Sequence, residues 1–422
     1  MANKSLQETD FSDWGDFVES DYEVDVECEA EPLEGYIEGR YYPIRIGEIL
    51  YGRYRVEHKL GQGGYSTVWM AYDLQAIRDV ALKIIQPGDA GEREYRIQID
   101  IIRTIRDTSH LVTCLDSFYL QSPRGPHQVL VFPLHGPTLS YRVPRMLMAL
   151  RASAAALQLL QGLRSIHDSG IVHRGKHTSR ISPLVALANL RLTDLSITNT
   201  LQGMRSLGNA SPATKYRYLG RPQKVLLSAS LRGVGAAPAW KEGELVAPMK
   251  VDEALLEPEF YLCDFGLAFQ ASTSVSPAMQ GPAYYQAPER FHGAYPSYST
   301  DMWSYMCIFA ELCLGFTVFH RLGSGGIAEV VHMLGPLPEA WKGTYTGYGD
   351  WDSSWYDPRA IPNPVFSLET RVLELVQGGP RGKQLALSIL QRGFSYSPEY
   401  RLSAAQLLED ASFREFIAMF SV

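Results

Sequence analysis

The sequence has no stretch of eighteen or more apolar residues, so nothing in it reads as a membrane span. Its first residues, MANKSLQETDFSDWGDF, lack both the basic start and the apolar core of a secretory signal. Cysteine is sparse. Cys28, Cys114, Cys263, Cys307 and Cys313 are scattered, odd in number and include no C-x-x-C pair, which argues against a disulfide framework and a zinc site and fits a reducing compartment. No internal repeat is visible. What is present is ordinary for a globular chain: 422 residues, 45% apolar and 20% charged, with ample length for a large core.

Basic residues are scarce at the start. Residues 1–40 hold 13 Asp and Glu against Lys4 and Arg40, whereas the remainder holds 37 basic and 33 acidic residues, for a net charge of −7. Residues 1–35 are therefore expected to be a solvated, disordered acidic tail. A second reading makes them an internal mimic of something that binds basic peptides.

From Tyr36 aromatic and β-branched residues alternate with polar ones, and the pattern stays strand-rich to about Leu134. Tyr54, Val56 and His58 fall on one face of a strand, and Arg53, Arg55 and Glu57 on the other. One helical segment interrupts this region, Glu92 to Ile105, with Ile97, Ile101 and Ile105 on one stripe. From about Pro144 the chain turns helical. MLMALRASAAALQLLQGLRSIH and DMWSYMCIFAELCLG read as long core helices. Segments 174–192 and about 202–258 are looser. The expectation is an α+β fold, with a small β-rich lobe over 36–134, a larger mainly helical lobe over 135–420 carrying two insertions, and a cleft between them.

Several motifs occur in a fixed order. Gly61-Gln62-Gly63-Gly64-Tyr-Ser-Thr-Val68 follows a strand, and glycines let backbone N–H groups approach phosphates closely. The third glycine of a G-x-G-x-x-G pattern is Ser66 here. Val80-Ala81-Leu82-Lys83 puts a lysine at the end of an apolar strand, where it needs an anionic partner. Glu94 is the candidate, because Ile97 and Ile101 follow it on the inward stripe, and Glu92 is the alternative. Cys263-Asp264-Phe265-Gly266 offers a carboxylate that suits Mg²⁺. Ala287-Pro288-Glu289, Asp301-Met-Trp303 and Arg401 complete the series. The ordered set is far more specific than any member.

On these residues the chain resembles the protein kinases over about residues 36–420. GRYYPIRIGEILYGRYRVEHKLGQGGYSTVW is similar to the start of the serine/arginine-rich protein kinases. KYRYLGRPQK, WKEGELVAPM and GPAYYQAPERFHG are closer still to a fungal branch. The resemblance implies a bilobal Ser/Thr kinase using ATP and Mg²⁺ in the cytoplasm or nucleus. Its substrates would be basic, Arg/Ser-rich proteins docking through arginine on acidic surface, and it would act as a monomer without direct nucleic-acid or membrane contact. Leu60, Gly61, Gln62, Gly63, Gly64 and Val68 would cover the nucleotide. Ala81 and Lys83 would line it, Phe132 would stand behind the adenine, and Pro133 C=O and His135 N–H would bond its edge. Glu289 and Arg401 would form a structural ion pair, and Asp301 would accept backbone N–H bonds of the catalytic loop.

One motif is broken. The family's H-T-D-x-K-x-x-N is interrupted here, because His173 is followed by Arg174–Leu192 before Thr193-Asp194-Leu-Ser196-Ile-Thr-Asn199. Removing the insert restores the pattern except at Ser196, which stands where a lysine is usual. Asp194 then orients the substrate hydroxyl and Asn199 binds Mg²⁺. Gly175-Lys176-His177 is encodable with a splice-donor sequence and Ala188-Asn189-Leu190 with a branch-point sequence, so the insert reads as a translated intron. The alternative is a true loop insertion. Either the chain is an active kinase, or it is an impaired member that acts by binding.

Overall fold

The computed structural model describes residues 14–19, 22–139, 148–169, 171–172, 195–208, 210–266, 268–270, 283–319, 326–347 and 352–420. In chain order the strands are β1 (Asp16–Phe17), β2 (Ile49–Leu50), β3 (Tyr54–Gly63), β4 (Ser66–Asp73), β5 (Arg78–Ile85), β6 (Asp116–Ser122), β7 (Gly125–Pro133), β8 (Ile171–Val172), β9 (Thr200–Met204), β10 (Gln223–Leu226), β11 (Glu244–Val246), β12 (Leu256–Leu262) and β13 (Phe269–Gln270). The helices are α1 (Glu23–Glu29), α2 (Glu34–Ile37), α3 (Asp89–Thr104), α4 (Met148–Asp168), α5 (Pro212–Leu219), α6 (Leu227–Gly233), α7 (Tyr298–Leu314), α8 (Gly326–Leu334), α9 (Leu368–Leu375), α10 (Gly379–Gly393), α11 (Ala404–Glu409) and α12 (Ala411–Ala418). They form two compact units, one of Met1–Arg96, Cys114–Gly136 and Met204–Glu257, the other of Ile97–Thr113, Pro137–Gly203 and Pro258–Val422. No helix among the described residues is long and apolar enough to cross a membrane.

The first unit is built on a six-stranded antiparallel sheet in the order β2-β3-β4-β5-β7-β6. Strand alternation explains its core. In β5, Val80, Leu82 and Ile84 point to one face and are buried with Tyr54, Val56, Trp69, Val129 and Val131, while Ala81 and Lys83 point to the other. On β3, Glu57 shares a face with Arg53 and Arg55, yet it is 1% exposed. The ammonium of Lys215 on α5 covers it, 2.7 Å from Glu57 Oε2 and 2.5 Å from Asp79 Oδ1. A charge removed from water needs such partners.

Two expectations about organisation change. The acidic start does not form the expected solvated tail in its described part. Trp14 joins the sheet core, β1 pairs in parallel with β10, and Val26, Ala30, Tyr36 and Tyr41 pack with Val225, Leu227, Leu231 and Leu245. The acidic residues alternate with apolar ones that find a partner surface only after folding. That surface comes from the second difference. Residues 202–258 were expected as an insertion in the helical lobe, yet Met204–Glu257 belong to the β-rich unit. Lys215, paired with Glu57 and Asp79, and Glu244, which accepts from Ile46 N–H at 2.9 Å, hold this stretch there.

The second unit is helical, with α4, α7, α10 and α12 around one apolar core. Helix α7 begins in a capping box between Ser297 and Thr300 and ends at Gly315, whose φ of 81° suits glycine. It is buried nearly all round, as an apolar helix without a polar stripe must be. Helix α3 starts at Asp89, three residues before the expected Glu92, extended by an acidic first turn.

Candidate active site

In the first unit, register places the motif residues side by side. Gly61 is paired with Val68, Val68 with Lys83, and Ala81 with Phe132, so three separate motifs meet across β3, β4, β5 and β7. Lys83 Nζ lies 2.7 Å from Glu94 Oε1 on α3. Glu94 is 1% exposed and Lys83 14%, so a buried carboxylate anchors a lysine that keeps some contact with solvent. The second oxygen of Glu94 is buried with no partner. Glu92, the alternative, instead pairs with Arg96 on the exposed face of α3. Glu94, Gln98 and Ile101 share the buried stripe at the spacing of helix turns.

The glycine-rich turn leaves room. A Cβ added to Gly61 or Gly64 would meet nothing within 4 Å, and one at Gly63 only Ser66 Oγ at 3.8 Å. Ser66, in place of the third glycine, is buried. Leu60 and Leu134 pack with Met70, Leu219 and Val251. Pro133 is paired with Val80 at the end of β7. Burial lowers the pKa of His135 to about 4, so its ring is neutral near pH 7.

In the second unit, Asn199 ends a 3₁₀ turn, Ile197–Asn199, and its carbonyl accepts from Cys263 N–H at 3.0 Å. That bond sets Asn199 one residue across from Asp264. Asp264 holds a left-handed backbone, φ 60°, which is uncommon for a residue with a Cβ and is a form of strain that clusters at functional sites. Phe265 is fully buried in the helical core and fixes the segment. Ser196 is fully buried, its hydroxyl 2.7 Å from Thr198 Oγ1. His173, the insert Arg174–Leu192 and Asp194 lie outside the described residues.

These residues fit a nucleotide and a hard cation. Open space over Gly61 and Gly64 admits phosphates to the backbone, and Lys83 offers a charge beside it. Among the described residues no three His, Cys, Asp or Glu side chains could hold a metal alone. The amide oxygen of Asn199 and the carboxylate of Asp264 are hard oxygen donors of the kind that suit Mg²⁺.

The supporting residues are also in place. Arg401 forms a two-pronged pair with Glu289, at 2.8 and 3.1 Å, and bonds the Ser299 and Ser395 carbonyls. His167 Nε2 lies 3.1 Å from Asp301 Oδ2. Burial lowers the His167 pKa to about 3, so a neutral ring donates to the carboxylate. Sequence reasoning missed His167. A histidine in the last turn of an apolar helix was its only signal.

The protein kinase domain matches residues 54–217 and 249–413. The chain therefore belongs to the protein kinase family, in its serine/threonine division, with SR-protein kinases among its relatives. It is 26% identical over 404 residues to a serine/threonine protein kinase of Aspergillus fumigatus, covering 91% of this chain and 90% of that one. It is 25% identical over 336 residues to the serine/threonine-protein kinase SRPK of Physarum polycephalum, covering 74% of each. A probable serine/threonine-protein kinase of Dictyostelium discoideum is 25% identical over 392 residues, covering 88% of this chain, and the chain spans only 37% of its length. Among solved structures, a crystallised kinase domain matches with a TM-score of 0.58 and 17% identity, over 89% of this chain and 99% of that one, which speaks for the fold alone.

Proposed function

We propose that the chain transfers the γ-phosphoryl group of ATP to Ser or Thr side chains of basic, Arg/Ser-rich proteins. The observation that carries this is the Lys83–Glu94 pair in register with Val68 and Gly61. Lys83 holds the α- and β-phosphates, and Glu94 keeps its ammonium from swinging away. The glycine turn presents backbone N–H groups to the phosphates, while Phe132, Pro133 and His135 frame the base. Asn199 and Asp264 would hold Mg²⁺, which when bound would neutralise charge on the phosphate oxygens. Asp194 accepts a hydrogen bond from the substrate hydroxyl and orients it for attack. The substrate class is supported by the names of relatives, among them an SRSF protein kinase 3 of Mus musculus.

A second reading, in which the chain acts by binding alone, is favoured by Ser196. Its hydroxyl is taken up by Thr198, and it brings no charge to the position where the family has lysine. One comparison separates the two. Phosphate incorporation is measured into an Arg-Ser repeat peptide and into a serine peptide without arginine, for the full chain and for the chain lacking 174–192. We expect the shortened chain to be at least tenfold faster, because an ångström of displacement at Asp194 already costs about a hundredfold. It should also prefer the Arg-Ser peptide. Equal rates on the two peptides would remove the substrate assignment. No incorporation by either form, with both folded, would favour binding alone.

A further inference from the structure

The acidic N-terminal arm touches the glycine-rich strand at three places. Lys59, on β3 two residues before Gly61, is fully buried, and its Nζ lies 2.5 Å from Glu31 Oε2. The hydroxyl of Tyr36 donates to the other oxygen of Glu31, and the Lys59 ammonium sits 4.2 Å from the centre of the Trp69 ring. Three residues further along β3, Gln62 Nε2 donates to the Ala30 carbonyl at 2.7 Å. Beyond it the Tyr41 hydroxyl reaches the Gly63 carbonyl at 3.4 Å. Three successive contacts therefore fall at positions 59, 62 and 63, on the strand whose far end is the phosphate-facing turn. A Cβ on Gly61 or Gly64 would meet nothing within 4 Å, so no side chain packs over those two positions of the turn.

Bulk stability alone does not account for the arrangement. A buried ion pair is poor evidence of net stabilisation, because both charges lose their hydration. Burial lowers the pKa of Lys59 and Glu31 opposes that shift, while burial raises that of Tyr36 with Glu31 next. What such a pair does supply is register, since no other pose leaves all its atoms bonded.

We propose that Glu31 is a positioning residue for the nucleotide: docked on Lys59, it holds the 30–41 arm against β3 and so fixes the shape of the glycine-rich turn. This rests on the reading of that turn as the phosphate site. Gly61, Gly63 and Gly64 carry no side chains to restrain them, and glycine loses more backbone freedom on ordering than any other residue. Holding the flanking Gln62 side chain and the Gly63 carbonyl from outside restricts that freedom before ATP arrives. Undocking would make ATP binding bear the ordering cost, which appears in KM for ATP and leaves peptide binding alone.

The test uses the full chain and three variants, Glu31→Gln, Tyr36→Phe and the pair Glu31→Leu with Lys59→Met. For Glu31→Gln, KM for ATP should rise about tenfold, the scale of one lost charge-assisted hydrogen bond, with KM for the peptide unchanged. Tyr36→Phe should shift KM for ATP in the same direction by about threefold. The paired variant replaces both charges by apolar groups of similar volume and should return KM for ATP towards the starting value, because the arm docks again. A purely structural role predicts otherwise, with fewer active molecules, lower apparent kcat and an unaltered KM for ATP in all three. That result would overturn the proposal. If Glu31→Gln does not fold, Tyr36→Phe and the paired variant decide by the same criterion. Should the unaltered chain show no saturable dependence on ATP, the phosphate-site reading fails instead, and with it the basis for the role of Glu31.

Discussion

Replacing Lys83 by methionine is expected to lower kcat/KM for phosphate transfer on the order of 10²–10³-fold, the typical loss for one preorganised electrostatic contact. The magnitude follows from two effects at one place. On the proposed function the phosphates lose their cation, and the Glu94 carboxylate, 1% exposed with Oε2 already unpartnered, loses its bond to Nζ at 2.7 Å. A buried carboxylate left alone either protonates or draws in water, and both disturb α3. Methionine keeps most of the stem volume, so the packing between β4 and β7 survives. Glu94→Gln should be milder, because its amide oxygen still accepts from Lys83. The check is steady-state kinetics at varied ATP, with circular dichroism to establish folding. A fall of less than tenfold in Lys83→Met would show that Lys83 does not serve the phosphates.

The largest effect on stability is expected at Arg401. Its guanidinium binds both oxygens of Glu289 and the carbonyls of Ser299 and Ser395, and it lies 5.1 Å from the centre of the Trp303 ring. Arg401→Met leaves Glu289, 4% exposed, with an unpaired charge and two carbonyls without their donor. Breaking such a pair from one side costs about 3–5 kcal/mol, which in a unit of this size lowers Tm by about 10 °C. Arg401→Lys should fall between, since an ammonium cannot make the planar two-pronged contact. Thermal unfolding of the purified chain measures this, and a shift below about 2 °C would mean the pair does not tie the Glu289 segment down.

Much of this was legible in the sequence because the motifs are local. The apolar run before Lys83 marked a strand, and the 3.6-residue stripe through Ile97 and Ile101 singled out Glu94 over Glu92, which the structure places against Arg96 on the outer face. Asp264 was marked by a tripeptide, but its left-handed backbone was not, since conformation at one residue depends on the bonds on either side. The arm and the 204–257 stretch were misread for a different reason. Glu31 meets Lys59 at a separation of 28 residues and Lys215 meets Asp79 at 136, and no periodic pattern reports pairings that distant. Taken one residue at a time, Glu31 belongs to a run of acids and looks solvated. Only the facing lysine, an equally inconspicuous residue on a strand, makes it a buried group. The same holds for Glu57, whose burial depends on α5 folding over it.

The most direct test of the account is transfer of labelled γ-phosphate from ATP to serine by the purified chain lacking 174–192, with Mg²⁺ present and chelated, beside its Asp264→Asn counterpart. The account predicts phosphoserine that depends on Mg²⁺ and falls on the order of 10³-fold when Asp264 loses its charge, since both the metal and its stabilisation of the phosphates go with it. Phosphoserine formed at the same rate with Asp264→Asn, or with Mg²⁺ removed, would contradict it.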